Sequence, residues 1–92
     1  MCYERSMIVE LYGKQGCHLC EKVREELLEM REFVEFELRE IDITGDAALL
    51  SRYRYDVPVV LVNGEELARH RIVDPAAFER TLERLVAAER GR

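Results

Sequence analysis

The sequence lacks tryptophan, has only two prolines and three cysteines among its 92 residues, and contains no long apolar run. Three cysteines are too few, and odd in number, for a secreted scaffold that disulfides hold together. No stretch approaches the roughly 20 apolar residues that a membrane span requires. Acidic residues interrupt the N-terminal stretch, where a secretory signal needs an apolar core. These absences predict a cytoplasmic protein that does not enter a membrane.

Basic side chains are in the minority. The chain has fourteen lysines and arginines and nineteen aspartates and glutamates, which gives a formal net charge of −5. A chain of this sign has no general basic field, so we expect no nucleic-acid partner. With 48% hydrophobic and 36% charged residues, the composition is typical of a globular domain. The length of 92 residues leaves room for one core. We therefore predict a single domain over 1–92, in which 1–6 are flexible.

Hydrophobic periodicity predicts the element order βαβαββα. The apolar, β-branched stretch Met7–Tyr12 indicates a first strand. A loop bracketed by Gly13 and Gly16 then leads into an amphipathic helix that begins near His18. The apolar stripe of this helix consists of Leu19, Val23, Leu27, Met30 and Val34.

The stretch Phe36–Ile43 predicts a second strand, but its apolar positions change phase between Leu38 and Ile41. A bulge, or a strand that begins late, explains this change equally well. A turn and a helix start at Asp46 follow. The apolar residues of this second helix are Ala47, Leu49, Leu50 and Tyr53.

The remaining third of the chain predicts a hairpin and a helix. The apolar run Val57–Val62 is typical of a strand that is covered on both faces. Asn63-Gly64 is a strong hairpin signal because both residues accept positive φ, so Glu65–Arg71 is predicted to return antiparallel. Asp74-Pro75 then supplies an N-cap and a first-turn proline for the last helix. Its apolar stripe is Phe78, Leu82, Leu85 and Val86.

Cys17 and Cys20 are one helical turn apart, at the point where a loop becomes a helix. Free N–H groups and the helix macrodipole favour an anion there, and thiols in this setting have pKa values lowered to about 3.5–7.5. Cys17 can then attack a substrate disulfide, and Cys20 can resolve the mixed disulfide. The pair therefore predicts a thiol–disulfide oxidoreductase. A protonated His18 assists the thiolate, whereas Glu21 opposes it.

Two other interpretations of the pair stay open. Two cysteines at this spacing are half of a tetrahedral zinc site, whose other ligands have to come from Cys2, His18 or His70. Alternatively, both cysteines are small buried apolar residues. We favour redox chemistry because a strand precedes the pair and a helix follows it, and we predict no metal site. The alternative function is a metal-binding or protein-interaction module without redox turnover.

Val57-Pro58 is the second informative feature. Proline in an apolar strand removes a hydrogen-bond donor, so it belongs at the first strand position or in a special geometry. A trans bond is the general expectation, because only about 5–6% of X–Pro bonds in folded proteins are cis. The context raises the expectation of a cis bond here above that base rate.

These features together resemble the glutaredoxin-like proteins of the thioredoxin fold. The segments that carry the resemblance are MIVELY, YGKQGCHLCEKV, Val57-Pro58 and the Asn63-Gly64 hairpin, and it extends over about Met7–Leu85. It implies an α/β thioredoxin-like fold, with a four-stranded mixed sheet and helices on both faces. It also implies that Cys17 is the nucleophile and Cys20 the resolving thiol. Pro58 is then cis and packed against the disulfide, and the backbone of Val57 pairs with an extended thiol substrate.

Two features depart from the glutaredoxins proper. They carry Pro-Tyr or Pro-Phe between the cysteines, where this chain has His18-Leu19. They also have a Gly-Gly-x-x-Asp stretch that holds glutathione, and the corresponding Arg69–Asp74 has no glycine pair. Glutathione stays a candidate co-substrate, but the missing glycines argue against it as the natural reductant, and no bound cofactor is expected. The predicted partners are protein or small-molecule disulfides and an electron donor that the sequence does not identify.

Lys14 lies three residues before Cys17, where a cation could stabilise the thiolate or hold a substrate carboxylate; a solvated loop lysine is an equally good interpretation. The predicted substrate-binding residues are Lys14, His18, Val57 and Pro58. Arg69 or Arg71 could also meet a carboxylate, but we favour solvation because exposed charges commonly protect an edge strand.

Three further groups of residues are interpreted as structural. Cys2 is expected to be a bystander near a frayed terminus. His70 is expected to be a surface residue. Core packing is predicted for Tyr53, Tyr55 and Phe78.

Overall fold

The structure is a computed structural model, and it describes residues 7–90. The elements are β1 (Met7–Gly13), α1 (His18–Met30), β2 (Phe36–Asp42), α2 (Ala47–Tyr53), β3 (Val59–Val62), β4 (Glu65–Arg69) and α3 (Pro75–Arg90), with a 3-10 turn at Ile43–Gly45. This is the predicted order, to which the 3-10 turn is added. The predictions for residues 1–6 and for Cys2 lie outside the described residues. No helix within 7–90 is long and apolar enough to cross a membrane.

The four strands form one mixed sheet in the order β2-β1-β3-β4. β1 is parallel to β2 and antiparallel to β3, and β3 is antiparallel to β4. The register pairs Gly13 with Asp42 and Tyr12 with Val59. The ends of β1 and β2 and the start of β3 therefore lie at the same edge of the sheet. The cysteine loop and the Val57-Pro58 segment both join the sheet at this edge.

Two apolar clusters cover the two faces of the sheet. The larger cluster packs the inward residues of α1 and α3 against one face; its most buried members are Val9, Val23, Leu27, Val60 and Leu82. The smaller cluster lies on the other face, which α2 covers; its buried members are Cys20, Ile43, Tyr53, Val57 and Val59. β1 and β3 alternate between the clusters because successive side chains of a strand point to opposite faces. The predicted α/β architecture with helices on both faces is confirmed.

β2 does not contain the irregularity that the sequence predicts. Its pairing with β1 is continuous from Met7 opposite Phe36 to Gly13 opposite Asp42. Neither a bulge nor a late start is present in this strand, so both explanations of the phase change are wrong. Phe36 belongs to the larger cluster, whereas the strand has already ended when Ile43 enters the smaller one. The phase changes because the two ends of this stretch contribute to cores on opposite faces.

Two predicted core positions are exposed. Leu19 is 51% exposed, and Cys20, one residue later, occupies the inward position of the first helical turn. Tyr55 is 83% exposed because it lies in the connection after α2, whereas Tyr53 and Phe78 are buried as predicted. The apolar stripe of α1 also ends earlier than predicted. The helix stops at Met30, and Val34 reaches the larger cluster from the loop that follows.

The Asn63-Gly64 turn connects β3 and β4 as predicted, with φ values of 50° and 87°. Asn63 also joins the turn to two other elements. Its backbone N–H donates to the Ile8 carbonyl at 2.8 Å, and its Oδ1 accepts from the Ile8 N–H at 3.0 Å. Its Nδ2 donates to Glu89 Oε2 at 2.7 Å. One side chain thus holds β1 and α3 to the hairpin.

Candidate functional site

Cys17 and Cys20 form a disulfide, with their Cα atoms 5.2 Å apart. Cys17 is the N-cap of α1 and has extended backbone angles, while Cys20 lies in the first turn. The Sγ atom of Cys17 accepts a hydrogen bond from the Cys20 N–H at 3.1 Å. Cys17 is half-buried and Cys20 is buried. Cys17 is therefore the more accessible residue of the two, and its sulfur lies at the helix N-terminus, which favours negative charge.

Two glycines shape the loop that delivers this pair. Gly16 has a φ of 79°, a left-handed conformation that favours glycine, immediately before Cys17. Gly13 is favoured for a different reason. A Cβ atom at this position would lie 3.1 Å from the Sγ atom of Cys20, so a larger residue would crowd the disulfide. The sequence identified both glycines as loop boundaries but gave no sign of the contact at Gly13.

The bond between Val57 and Pro58 is cis, so this expectation is confirmed. Both residues are buried, and Val57 belongs to the same cluster as Cys20. The neighbouring backbone groups are engaged: the Asp56 N–H donates to the Tyr53 carbonyl at 2.9 Å, and the Pro58 carbonyl accepts from the His70 N–H at 2.7 Å. Within residues 7–90, the backbone N–H and C=O of Val57 make no such bond. Val57 is therefore the one residue of Asp56–Pro58 without a backbone hydrogen bond among residues 7–90, and it packs in the same cluster as Cys20.

An aromatic pair lies in the cluster that contains the disulfide, and the sequence did not predict it. The rings of Tyr12 and Tyr53 have centroids 5.1 Å apart, and the Arg52 guanidinium lies 5.3 Å from the centre of the Tyr53 ring. Burial raises the pKa of the Tyr12 hydroxyl, and the charge of Glu10 adds to this. Tyr12 therefore keeps its proton at neutral pH. Met7, Val9 and Leu11 of β1 point to the larger cluster, so the next residue, Tyr12, points to the opposite face. This alternation is the sequence signal that could have predicted its position.

The remaining predicted site residues are near the disulfide but exposed. His18 is 97% exposed, and its Nδ1 lies 3.9 Å from Glu21 Oε1. Lys14 is exposed and lines a cleft of about 260 Å³ that also reaches Cys20 and Glu21. The structure thus brings Val57 together with the cysteines in one buried cluster. It leaves His18 and Lys14 in solvent at the rim, and their roles in substrate binding stay predictions.

Arg69 is exposed on the edge strand β4, as we favoured, but its guanidinium group is also ion-paired, which the sequence did not predict. Its Nε and Nη2 donate to the two carboxylate oxygens of Glu66 at 2.8 and 2.9 Å. Its Nη1 lies 3.1 Å from Asp56 Oδ2. The neighbouring Arg71 is exposed and makes no ion pair within the described part of the chain. The next residue after Arg69, His70, has a φ of 72°, so a histidine adopts the conformation that glycine favours.

A metal site needs several ligands that converge. Among residues 7–90, no group of three or more histidine, cysteine, aspartate or glutamate side chains is placed to hold a metal ion. His70 lies beyond β4, in a different connection from the cysteine loop. His18 and His70 therefore do not join the cysteines in such a group, and Cys2, the other candidate ligand, lies outside the described residues.

The fold and the cysteine pair together define a thioredoxin-like protein. A thioredoxin mutant from Halobacterium salinarum superimposes with a TM-score of 0.64 at 19% identity, over 86% of this chain and 74% of that chain. Two structures are more similar in sequence. Protein Ne2328 of Nitrosomonas europaea has a TM-score of 0.71 at 28% identity and covers 89% of this chain and 98% of its own. Protein XcR50 of X. campestris has a TM-score of 0.67 at 31% identity and covers 83% and 96%.

Residues 8–85 match the family described as Glutaredoxin-like domain (DUF836). The chain belongs to this family, which confirms the resemblance. Protein Rv0508 of Mycobacterium tuberculosis and protein Mb0520 of Mycobacterium bovis are each 35% identical to it over 63 residues. That match covers 63% of this chain and 65% of each relative, just under two thirds of the relative's length. Neither name states an activity.

Proposed function

We propose that the protein is a thiol–disulfide oxidoreductase that cycles Cys17 and Cys20 between dithiol and disulfide and acts as a reductant in the cytosol. The observation that carries this proposal is the asymmetry of the pair. Cys17 is the accessible N-cap of α1, and Cys20 is the buried partner that is already bonded to it. The accessible sulfur is suited to attack, and the buried one is suited to resolution.

The reaction consists of two thiol–disulfide exchanges. The Cys17 thiolate attacks one sulfur of the substrate disulfide, so a Cys17–substrate bond forms, the substrate bond breaks, and the first substrate thiolate leaves and takes a proton from solvent. Cys20 then loses its proton and attacks the Sγ atom of Cys17. The Cys17–Cys20 bond forms, and the second substrate thiol is released. The substrate gains two electrons, and the protein returns to the dithiol when a thiol-based reductant donates two electrons.

The Cys20 N–H supports the first step. In this structure it donates to the Cys17 sulfur at 3.1 Å, and such a donor stabilises negative charge on that sulfur once the disulfide is reduced. The backbone of Val57 is proposed to pair with the extended segment that flanks the substrate disulfide. Its N–H and C=O make no backbone hydrogen bond within residues 7–90, and it packs beside Cys20; both observations support this role. Lys14 and His18 are proposed to contact the substrate from the rim.

A redox titration of the purified protein tests the proposal. The protein is equilibrated at defined ratios of reduced to oxidised glutathione, free thiols are alkylated, and peptide masses report the state of each cysteine. We expect one two-electron transition in which Cys17 and Cys20 change together. A pair that stays unbonded at every ratio would overturn the proposal.

The substrates are proposed to be protein or small-molecule disulfides. The electron donor is a second component of the proposed cycle, and it can be identified separately. Turnover measured with glutathione and glutathione reductase, and separately with a thioredoxin-reductase system, identifies the donor. We expect weaker turnover with glutathione, because the chain has Arg69-His70-Arg71 where glutathione-binding relatives carry the glycine pair.

Elemental analysis of protein purified without chelator addresses the alternative of a metal-binding module. Stoichiometric zinc or iron bound to Cys17 and Cys20 would favour that alternative.

A further inference from the structure

The segment that precedes β3 is held at both of its ends. Its central residue, Val57, has no backbone hydrogen bond within residues 7–90, whereas Asp56 and Pro58 on either side are bonded to the end of β4 and the residue after it. We propose that Arg69 is a positioning residue that fixes the backbone of Val57 for an extended substrate, an inference that rests on the proposed pairing role of Val57.

The first connection is the ion pair of Arg69 with Asp56. The guanidinium group binds Glu66 with two parallel hydrogen bonds, which leaves its Nη1 aimed at Asp56 Oδ2 at 3.1 Å. Glu66 lies on β4, the strand that also carries Arg69. The bidentate bond therefore fixes the orientation of the guanidinium plane before it meets Asp56.

An isolated exposed ion pair contributes little, because side-chain entropy and solvent screening oppose it. The pair at Arg69 differs in two respects. It belongs to a three-residue network with bidentate geometry, and the Asp56 side chain is only 30% exposed. Because the bond to Glu66 already restricts the Arg69 side chain, less side-chain entropy is lost when Arg69 pairs with Asp56. Lysine offers no planar fork, so it cannot reproduce both contacts in one fixed orientation.

The second connection is made by the residue that follows Arg69. The His70 N–H donates to the Pro58 carbonyl at 2.7 Å, and Arg69 itself pairs in register with Val59. Asp56 and Pro58 are thus both held from residues 69 and 70. Val57, between them, has a defined orientation, and its own N–H and C=O have no backbone partner in the described part of the chain. Removal of the Arg69 contact releases the side chain of Asp56, whose backbone N–H still donates to the Tyr53 carbonyl at 2.9 Å.

This arrangement predicts a selective effect. A peptide that pairs with the Val57 backbone gains from a pre-oriented N–H and C=O, since less entropy is lost on binding. A small disulfide without a peptide backbone does not use that pairing. Among residues 7–90, the hydrogen bonds and ion pairs of the Arg69 side chain go to Glu66 and Asp56 and not to a cysteine, so the reactivity of the Cys17 thiolate should not depend on Arg69. The ratio of the rate constants for the two kinds of disulfide isolates the positioning role.

The experiment compares the reduced wild type with Arg69→Gln, Arg69→Lys, Asp56→Asn and the matched control Arg71→Gln. Three probes are used: a disulfide between two linear eight-residue peptides, 2-hydroxyethyl disulfide, and iodoacetamide. We expect the peptide rate relative to the small-disulfide rate to fall roughly tenfold in Arg69→Gln and in Asp56→Asn. Arg69→Lys should lose about threefold, and Arg71→Gln should match the wild type. Alkylation of Cys17 by iodoacetamide should change by less than about twofold in all of them.

The outcomes separate the two proposals. An active wild type whose Arg69→Gln variant keeps the ratio of the two rates overturns the role of Arg69 alone. Equal losses with all three probes also overturn it, because they indicate a general effect on the cysteines. A wild type that reduces neither disulfide overturns the proposed function, and with it the role of Arg69. The double variant Arg69→Gln/Asp56→Asn adds a further check, since one shared contact predicts no additional loss.

Discussion

Gly13 and Cys20 lie so close together that a Cβ atom on residue 13 would be 3.1 Å from the Cys20 sulfur and 3.2 Å from its Cβ atom. The φ angle of Gly13 is not in the left-handed region, so backbone conformation does not explain the glycine. The explanation is space. The last residue of β1 passes directly against the first turn of α1, so a side chain at position 13 requires Cys20 to shift by a few tenths of an ångström.

Gly13→Ala should therefore destabilise the oxidised protein. Cys20 is held by the helix and by the disulfide, so it cannot move aside freely, and we expect the free energy of unfolding to fall by about 1–2 kcal/mol. Urea denaturation measures this change. Gly45→Ala is the matched control, because nothing lies within 4 Å of a Cβ atom built there and its φ is not positive. Equal stability of the two variants would show that the contact at Gly13 is relieved without cost.

The cysteines should differ in the consequence of their replacement. Cys17→Ser removes the proposed nucleophile, so turnover should be lost, whereas Cys20→Ser should accumulate a mixed disulfide between Cys17 and the substrate. Intact-mass spectrometry after incubation with a peptide disulfide distinguishes the two. Cys2→Ser serves as the control and should turn over like the wild type. A mixed disulfide on Cys20 in the Cys17→Ser protein, formed as fast as the one on Cys17, would contradict the assigned order of attack.

Asn63 should contribute to stability through both its side chain and its positive φ. Asn63→Gly keeps the conformation and the backbone bond to the Ile8 carbonyl, but it removes the side-chain bonds to the Ile8 N–H and to Glu89. We therefore expect the free energy of unfolding to fall by about 1 kcal/mol. Asn63→Ala also introduces backbone strain at a φ of 50°, and its loss should be about 2 kcal/mol. Glu89→Gln, which keeps an acceptor at the exposed end, should change the free energy of unfolding by less than about 0.5 kcal/mol. An alanine variant as stable as the glycine variant would remove the strain argument.

Asp42 should make the stability of the protein dependent on acid pH. The Thr44 hydroxyl donates to Asp42 Oδ1 at 2.6 Å and the Thr44 N–H donates to it at 2.9 Å, and together they lower the pKa of this carboxyl. A lowered pKa stabilises the fold above the unfolded value of about 3.9, and this stabilisation is lost as the pH falls through the folded pKa. Thr44→Val should raise the pKa of Asp42 only in part, because the N–H remains. NMR titration of the carboxyl carbon measures the shift, and Thr81→Val should leave it unchanged.

The sequence was sufficient for the helices, the hairpin and the order of the elements because their signals are local. Asp74-Pro75 and Asn63-Gly64 specify a helix start and a turn through residues that are adjacent in the chain. The position of the cysteine pair at the start of α1 could be predicted for the same reason, because β1, the loop and α1 are consecutive in the chain. The change of phase in β2 could not be interpreted, because it depends on which cluster covers each end of the strand.

The features that were missed depend on residues far apart in the chain. The contact of Arg69 with Asp56 forms because β4 returns along β3, and no local pattern distinguishes Arg69 from the exposed Arg71. Leu19 has the spacing of a core residue, but the inward position of its turn is taken by Cys20. Which of two adjacent residues points inward depends on the orientation of α1 about its own axis on the sheet. The spacing of apolar residues does not determine this orientation to within one residue.

The division of the interior into two clusters has a consequence for dynamics. Cys20 belongs to the smaller cluster, under α2, whereas the central residues of α1 and α3 belong to the larger one. Proteins open locally in cooperative units with different free energies. We expect reduction of the disulfide to accelerate amide hydrogen exchange in α2, while the amides of Leu27 and Leu82 continue to report the global unfolding free energy. The smaller cluster, which contains Cys20, would then open locally without changing the free energy at which the larger cluster unfolds.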